Sequence, residues 1–239
     1  MSLDAYSRVA DWLTPQDDRL LIHTGKVDIG QRISTALLRI VQEELALPLS
    51  QLDIAPVRTG HAPDEGITSG SNSIEQSGRA VASAAATLRA RVVELAVSQH
   101  GGALADWTLE DGYVLRPGTN IRISVIDLAR DLPTDLPIDR DLRRHIPDHA
   151  ATPCMRGITE MVQGSFTFLH DLDLPGMWHA RRVSAPHAKA TLREIDQTAI
   201  DKALAKGLHV LRDGSFVAVA GPREWVVVKT AKSLGLACT

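Results

Sequence analysis

Apolar residues recur at helical intervals in two long stretches of the chain. Ile33, Leu37, Ile40, Val41 and Leu45 line one face of a predicted helix, and Pro48 prevents its extension. Ile74, Gly78, Val81, Ala85, Leu88, Val92 and Leu95 step by four and three, the clearest helix in the sequence. Ser73 with Gln76 predicts a capping box at its start, and Gly101-Gly102 predicts its end. Gly78, Ala80, Ala82, Ala84, Ala85 and Ala86 would let a second backbone approach closely.

Shorter patterns predict strands. Ser7–Ala10 and Arg19–His23 flank a polar turn at Pro15-Gln16-Asp17-Asp18, and 51–57 forms another run. Asp111-Gly112 between 107–109 and 113–115 is a hairpin signal. From about Arg130 to Pro153, Pro133, Pro137, Pro147 and Pro153 punctuate a charged stretch without period, which reads as a linker crossing a surface. Beyond it, 165–169, 177–183, 192–195 and 216–220 read as strands, and 199–205 and 224–234 as helices. Without a strict βαβ rhythm the expected class is α+β.

Composition narrows the function classes. The chain has 239 residues, 44% hydrophobic and 23% charged, with net charge −3. It shows no Lys/Arg cluster, which argues against a nucleic-acid surface. Cys154 and Cys238 have no metal-ligand spacing, so this sequence predicts no zinc or iron–sulfur site and no disulfide framework. No apolar run spans a bilayer, and Met1–Tyr6 has no signal-peptide pattern, which gives a cytoplasmic expectation.

Candidate chemistry sits in two short Gly/Ser turns that each open into a helix: Gly25–Gln31 and Thr68–Ser73. Helix N-termini carry unpaired N–H groups and favour anions, so the pair suits a phosphate-bearing cofactor held at two points. Read alone, Gly30-Gln31 is better taken as an ordinary strand-to-helix turn, and Ser73 as a plain cap. Ser69, Gly70 and Ser71 are the better ligand contacts. Asp64 and Glu65 read as a solvated loop rather than a catalytic pair. His170, His179 and His187 match no metal-ligand pattern. His100, Ser98 and Asp106 carry no triad signature. Trp107 and Trp225 read as core or interface.

The motifs carry a resemblance. Thr24-Gly25-Lys26-Val27-Asp28-Ile29-Gly30-Gln31 resembles the glycine-glutamine pterin-binding segment of the xanthine dehydrogenase/aldehyde oxidase family. Ile40–Leu45 is similar to the run that follows it there, and Pro63–Ser71 resembles that family's Ser/Gly loop. His170–Arg181 resembles the signature of its α/β-hammerhead domain, and 214–234 the closing strand and helix of that domain. The order of these segments resembles the isoquinoline 1-oxidoreductase and nicotinate dehydrogenase branch.

The resemblance implies a partial molybdopterin-binding domain over 1–150 and an α/β-hammerhead domain over 151–239. It implies a subunit of a molybdenum hydroxylase that acts on an N-heterocycle or aldehyde with oxygen from water. The implied cofactor is molybdopterin cytosine dinucleotide, touched by Gly30, Gln31, Arg32, Ser69, Gly70, Ser71 and Ser73. The implied partners are the remaining molybdopterin-binding subunit, a 2Fe–2S subunit and a cytochrome or flavin subunit. Recruitment to a membrane would come through a partner. The general-base glutamate of the family has no counterpart here, so no catalytic residue is expected. Arg32 stands where the family has glycine; it either blocks the cofactor or reaches a phosphate. A non-catalytic scaffold of such a complex is the alternative.

Overall fold

The computed structural model describes residues 2–145, 155–168 and 171–239. The expectations on Pro147, Pro153, Cys154, Leu169 and His170 lie outside these residues. The chain divides into two compact units, Met1–Gly164 and Ser165–Thr239, later in sequence than the expected division at 150/151.

In the first unit, a short turn α1 (Ser2–Ala5) precedes β1 (Leu13–Gln16) and β2 (Arg19–Ile22), which pair antiparallel about Asp17. The strand expected at Ser7–Ala10 is instead a single bridge, Arg8 to Pro137, followed by a 3-10 turn at Val9–Asp11. Asp11 causes this: its carboxylate accepts from the Arg8 backbone N–H at 2.9 Å and from the Arg8 guanidinium at 2.7 Å. Pro15 lies within β1 rather than in the turn. β1 is an edge strand, where the missing N–H of proline is harmless.

Chain direction then returns through α2 (Ile33–Leu45) to β3 (Leu52–Ile54), which pairs parallel to β2. A parallel pair requires such a crossover. The 23–32 segment therefore leaves the carboxyl end of a strand and enters a helix, the usual position for ligand-binding backbone in α/β arrangements. α2 buries Ile33, Leu37, Val41 and Leu45 of the stripe read from the sequence, leaves Ile40 half-buried, and buries Leu38 and Glu44 besides.

α3 (Arg79–His100) packs against α2 through buried Ala80, Val81, Ala84, Ala85, Leu88 and Val92. It ends at Gly101 with φ 73°, as expected. Its entry differs. Ser73–Gly78 forms a π-helical turn whose caps include no side chain, so the Ser73/Gln76 box does not form.

β4 (Thr108–Glu110), β5 (Tyr113–Leu115) and β6 (Arg122–Ser124) form an antiparallel sheet. Asp111 and Gly112, with φ 48° and 79°, make the expected hairpin turn. α4 (Val125–Arg130) follows, capped by Ser124, and later α5 (Ile158–Gln163). Residues 132–145 are docked, not a free spacer: Leu132, Leu136 and Ile138 pack on the core, and Val9 N–H donates to Leu136 O at 2.9 Å. The core centres on Trp12, Leu20, Ile22, Leu37, Val41, Val81 and Val92, and Trp107 joins it.

The second unit is an antiparallel sheet with β9 (Phe216–Gly221) between β7 (His179–Arg182) and β8 (His209–Asp213). α6 (Gln197–Leu204) and α7 (Glu224–Gly235) match the two expected helices. A small core gathers Ile195, Leu208, Val217, Val219, Val227 and Leu234. β8 has no counterpart in the sequence reading. Residues 165–168 form no strand, and 192–195 contribute only the bridge Ile195 to Cys238. At 165–168 strand propensity alone does not make a strand. Trp225 is exposed, and Trp178 stacks on His209 with ring centroids 4.6 Å apart.

Candidate functional site

The two Gly/Ser turns are joined through buried side chains of the first unit. Glu65 is 9% exposed, not solvated. Its Oε2 accepts from Thr24 Oγ1 at 2.7 Å and from Gly25 N–H at 2.9 Å, and its Oε1 accepts from Ser77 Oγ at 2.6 Å. One carboxylate thus holds the exit of β2 and the π turn before α3. The wide turn brings Ser77 and Gly78 inside, where Ser77 meets Glu65. Asp64, next along the chain, is exposed.

Lys26 makes the complementary bond. It is 3% exposed, and its ammonium donates to Glu65 O at 2.6 Å and Ile67 O at 3.0 Å. Val27 N–H donates to Thr68 Oγ1 at 3.1 Å. Opposite charges buried in one cluster, each with hydrogen-bond partners, avoid the cost of an isolated buried ion. Gly25 is required for this approach: a Cβ there would lie 2.2 Å from Pro63 O.

The first turn supplies backbone more than helix dipole. Asp28 already faces the start of α2, hydrogen-bonded to Ser34 through its carboxylate, so the positive end of that helix is engaged. Gln31 is folded into its own turn: Nε2 donates to Val27 O at 2.8 Å, and Oε1 accepts from Ile29 N–H at 2.7 Å. That leaves one amide hydrogen and one lone pair for a ligand. Gly30 is exposed at φ 110°, with open space where a Cβ would stand.

Arg32 adopts a left-handed conformation, φ 57°, at the N-terminus of α2. This is backbone that glycine tolerates and a β-carbon resists. Its guanidinium reaches Met161 of α5. In the second turn, Ser69, Gly70 and Ser71 are exposed, and Gly70 and Ser71 are left-handed at 64° and 59°. Among the described residues, the N–H groups of Gly30, Ser69, Gly70 and Ser71 form no hydrogen bond. Ser73 opens the π turn.

A cavity of about 500 Å³ borders the clamp, lined by Tyr6, Gly25, Arg58, His61, Asp64 and Glu65 among others. It includes none of the expected contact residues. Thr24, Lys26, Glu65 and Ser77 are the residues that sequence reasoning missed as parts of this site. The available signal was weak: a lysine and a glutamate each beside a glycine in the recognised segments.

Elsewhere in the unit, buried Glu44 is held by His145 N–H at 3.0 Å and Arg89 at 3.2 Å. Burial pushes its carboxyl above the ordinary range despite these partners. Burial also lowers His23, whose Nε2 lies 2.7 Å from Thr14 Oγ1. No group of three or more His, Cys, Asp or Glu is gathered to hold a metal among the described residues, and no described helix is long and apolar enough to cross a membrane.

The profile of the molybdopterin cofactor-binding domain family matches residues 10–140, which contain both turns and the clamp. A nicotinate dehydrogenase subunit of Pseudomonas putida is 28% identical over 239 residues, covering 91% of this chain and 19% of that protein. Human aldehyde oxidase is 29% identical over 91 residues, 38% of this chain and 7% of that protein. Among solved structures, CO dehydrogenase from Oligotropha carboxidovorans aligns with a TM-score of 0.44 and 21% identity, over 57% of this chain and 18% of that one. The chain thus spans about a fifth of the length of the nicotinate dehydrogenase relative.

Proposed function

The chain belongs to the molybdopterin cofactor-binding domain family, and we propose that it contributes part of the cofactor cradle of a molybdenum hydroxylase. The observation that carries this reading is the clamp. Glu65 and Lys26 fix two turns together, and those turns leave the N–H groups of Gly30, Ser69, Gly70 and Ser71 open. Clustered N–H donors, two of them on the left-handed backbone of Gly70 and Ser71, suit phosphate and pterin oxygens. Gly30 gives the closest backbone approach, and Gln31 a neutral donor and acceptor beside it. Ser69, Gly70, Ser71 and Ser73 make the second contact, with Arg32 between the first turn and α5.

When bound, the cofactor supplies the redox chemistry that hydroxylates an electron-poor carbon with oxygen from water. The residues of this chain bind and orient; none acts as general base. The substrate class is an N-heterocycle or aldehyde, and the cofactor is the cytosine dinucleotide form. Further cofactor-binding domains, a 2Fe–2S subunit and a cytochrome or flavin subunit complete the assembly. The 165–239 unit serves as its hammerhead domain. Arg32 engages α5, which favours an available Gly30 edge over the scaffold reading.

The test is cofactor content. The chain is purified with its partners, pterin is oxidised to its fluorescent form, and molybdenum is counted per complex. Wild type is expected to carry both, and Gly30→Val to lose most of both while the complex still assembles. A complex without pterin in wild type refutes the proposal.

A further inference from the structure

We propose that Lys26 and Glu65 are positioning residues: a buried latch that makes the two turns one binding surface and turns its donors outward. The inference rests on the cofactor-binding reading above and adds how this site is organised.

The backbone argument is geometric. Lys26 draws the carbonyl oxygens of Glu65 and Ile67 inward, at 2.6 and 3.0 Å. In a trans peptide the carbonyl and the following N–H point in opposite directions. The N–H groups of Gly66 and Thr68 therefore face away from the ammonium. Gly66 N–H is taken by Asp64 Oδ1 at 3.1 Å. Thr68 N–H has no partner among the described residues, and it precedes the open N–H groups of Ser69, Gly70 and Ser71. The ammonium thus satisfies the carbonyls of Glu65 and Ile67 and turns Thr68 N–H, the first of the open donors, away from them. An anion meets that N–H without those two carbonyls opposing it.

Glu65 completes the device from the other side. Its carboxylate bonds Thr24 and Gly25 in the first segment and Ser77 in the π turn, while its own carbonyl is held by Lys26. Thr24 Oγ1 also accepts from Lys26 N–H at 3.1 Å. Movement of either turn breaks bonds to the other, and each broken bond strands a buried polar group. Thr68 is the half-buried outer end of the same linkage, through Val27 N–H.

The experiment compares wild type, Lys26→Met, Glu65→Gln and the milder variant Thr68→Val, each purified in the assembled complex. Two readouts are taken: pterin per complex, and amide exchange by mass spectrometry. Lys26→Met is expected to raise exchange in both 25–31 and 65–71 while 85–97 of α3 stays protected. Its pterin content is expected to fall about tenfold, as for a binding loss equal to one stranded buried group. Glu65→Gln keeps the shape and part of the hydrogen bonding, so its loss should be smaller. Thr68→Val, which leaves the core intact, should loosen both segments slightly; it carries the test if Lys26→Met does not fold.

Exchange that changes in only one segment, or in neither, for every folded variant overturns the latch. So does full pterin content in Lys26→Met. A wild-type complex without pterin, with coupled exchange intact, instead strikes the cofactor-binding reading and with it the role assigned to the latch.

Discussion

Gly25→Ala tests the contact on which the site is built. The position has no unusual φ, so its requirement for glycine comes from space alone. A Cβ would stand 2.2 Å from Pro63 O and 3.2 Å from the Glu65 backbone nitrogen, and neither atom can rotate away. Relieving the clash means moving the 63–65 segment, at about 1–3 kcal/mol for overpacking. That movement also lengthens the 2.9 Å bond from Gly25 N–H to the Glu65 carboxylate. Losing a buried bond to a charged group costs about 1–3 kcal/mol more. The total is about 2–6 kcal/mol, or roughly 4–24 °C in melting temperature for a unit of this size. Gly66→Ala is the control: its φ is 65°, but nothing lies near its Cβ. It should cost only the left-handed backbone term, about 1–2 kcal/mol. Melting is followed by tryptophan emission, which reports the first unit through buried Trp12 and Trp107. If Gly25→Ala melts within about 2 °C of wild type, or above Gly66→Ala, the close packing of the two segments is wrong.

Three further expectations follow from the same structure. Glu44, whose folded carboxyl titrates above its ordinary 4.5, takes up a proton on folding, so it contributes a stability that is present at low pH and falls as pH rises through that window; stability-versus-pH curves should show this falling component in wild type and not in Glu44→Gln, and parallel curves would refute it. His23 works in the other direction: its folded value lies below 6.5, so stability is full above that pH and falls as pH drops through it, and His23→Gln should flatten the loss seen in urea midpoints below pH 6.5, an unchanged loss counting against burial as its cause. Arg32→Gly should leave stability within about 1 kcal/mol, because relief of left-handed backbone offsets the entropy that glycine adds to the unfolded chain; it should speed amide exchange over Ile158–Gln163, and unchanged exchange there would exclude the Arg32–Met161 contact as a tether.

Elements whose signal is local were legible. The stripe from Ile33 to Leu45 and the small-residue face of α3 depend on spacing within one helix, and both packed as read. Asp111-Gly112 specifies its turn through its own backbone preferences. Elements decided by tertiary position were not. Pro15 reads as a turn residue until the sheet makes its strand an edge, and Val9 reads as strand until Asp11 closes a turn under Arg8. The 132–138 segment shows no period because it docks as an irregular strap, one apolar residue at a time.

The site divides the same way. Gly30, Gly70 and Ser71 announce themselves, since exposed backbone at positive φ favours small residues, and Ser69 stands beside them. Glu65 does not, because its partners lie at Thr24, Gly25 and Ser77, remote in sequence and invisible to any window. A carboxylate in a polar loop reads as solvated by default, and only the fold removes its water. Lys26 hides for the same reason: its acceptors are backbone carbonyls, which every residue carries. The motif residues that could touch a ligand are therefore legible, while the residues that aim them are not. The physical consequence is an asymmetry under substitution. Changes at Gly30 or Ser69–Ser71 act within a single turn, whereas a change at Lys26 or Glu65 moves both turns at once. Sequence variation that spares the glycines but alters either buried charge should therefore weaken binding with the recognisable motif still in place.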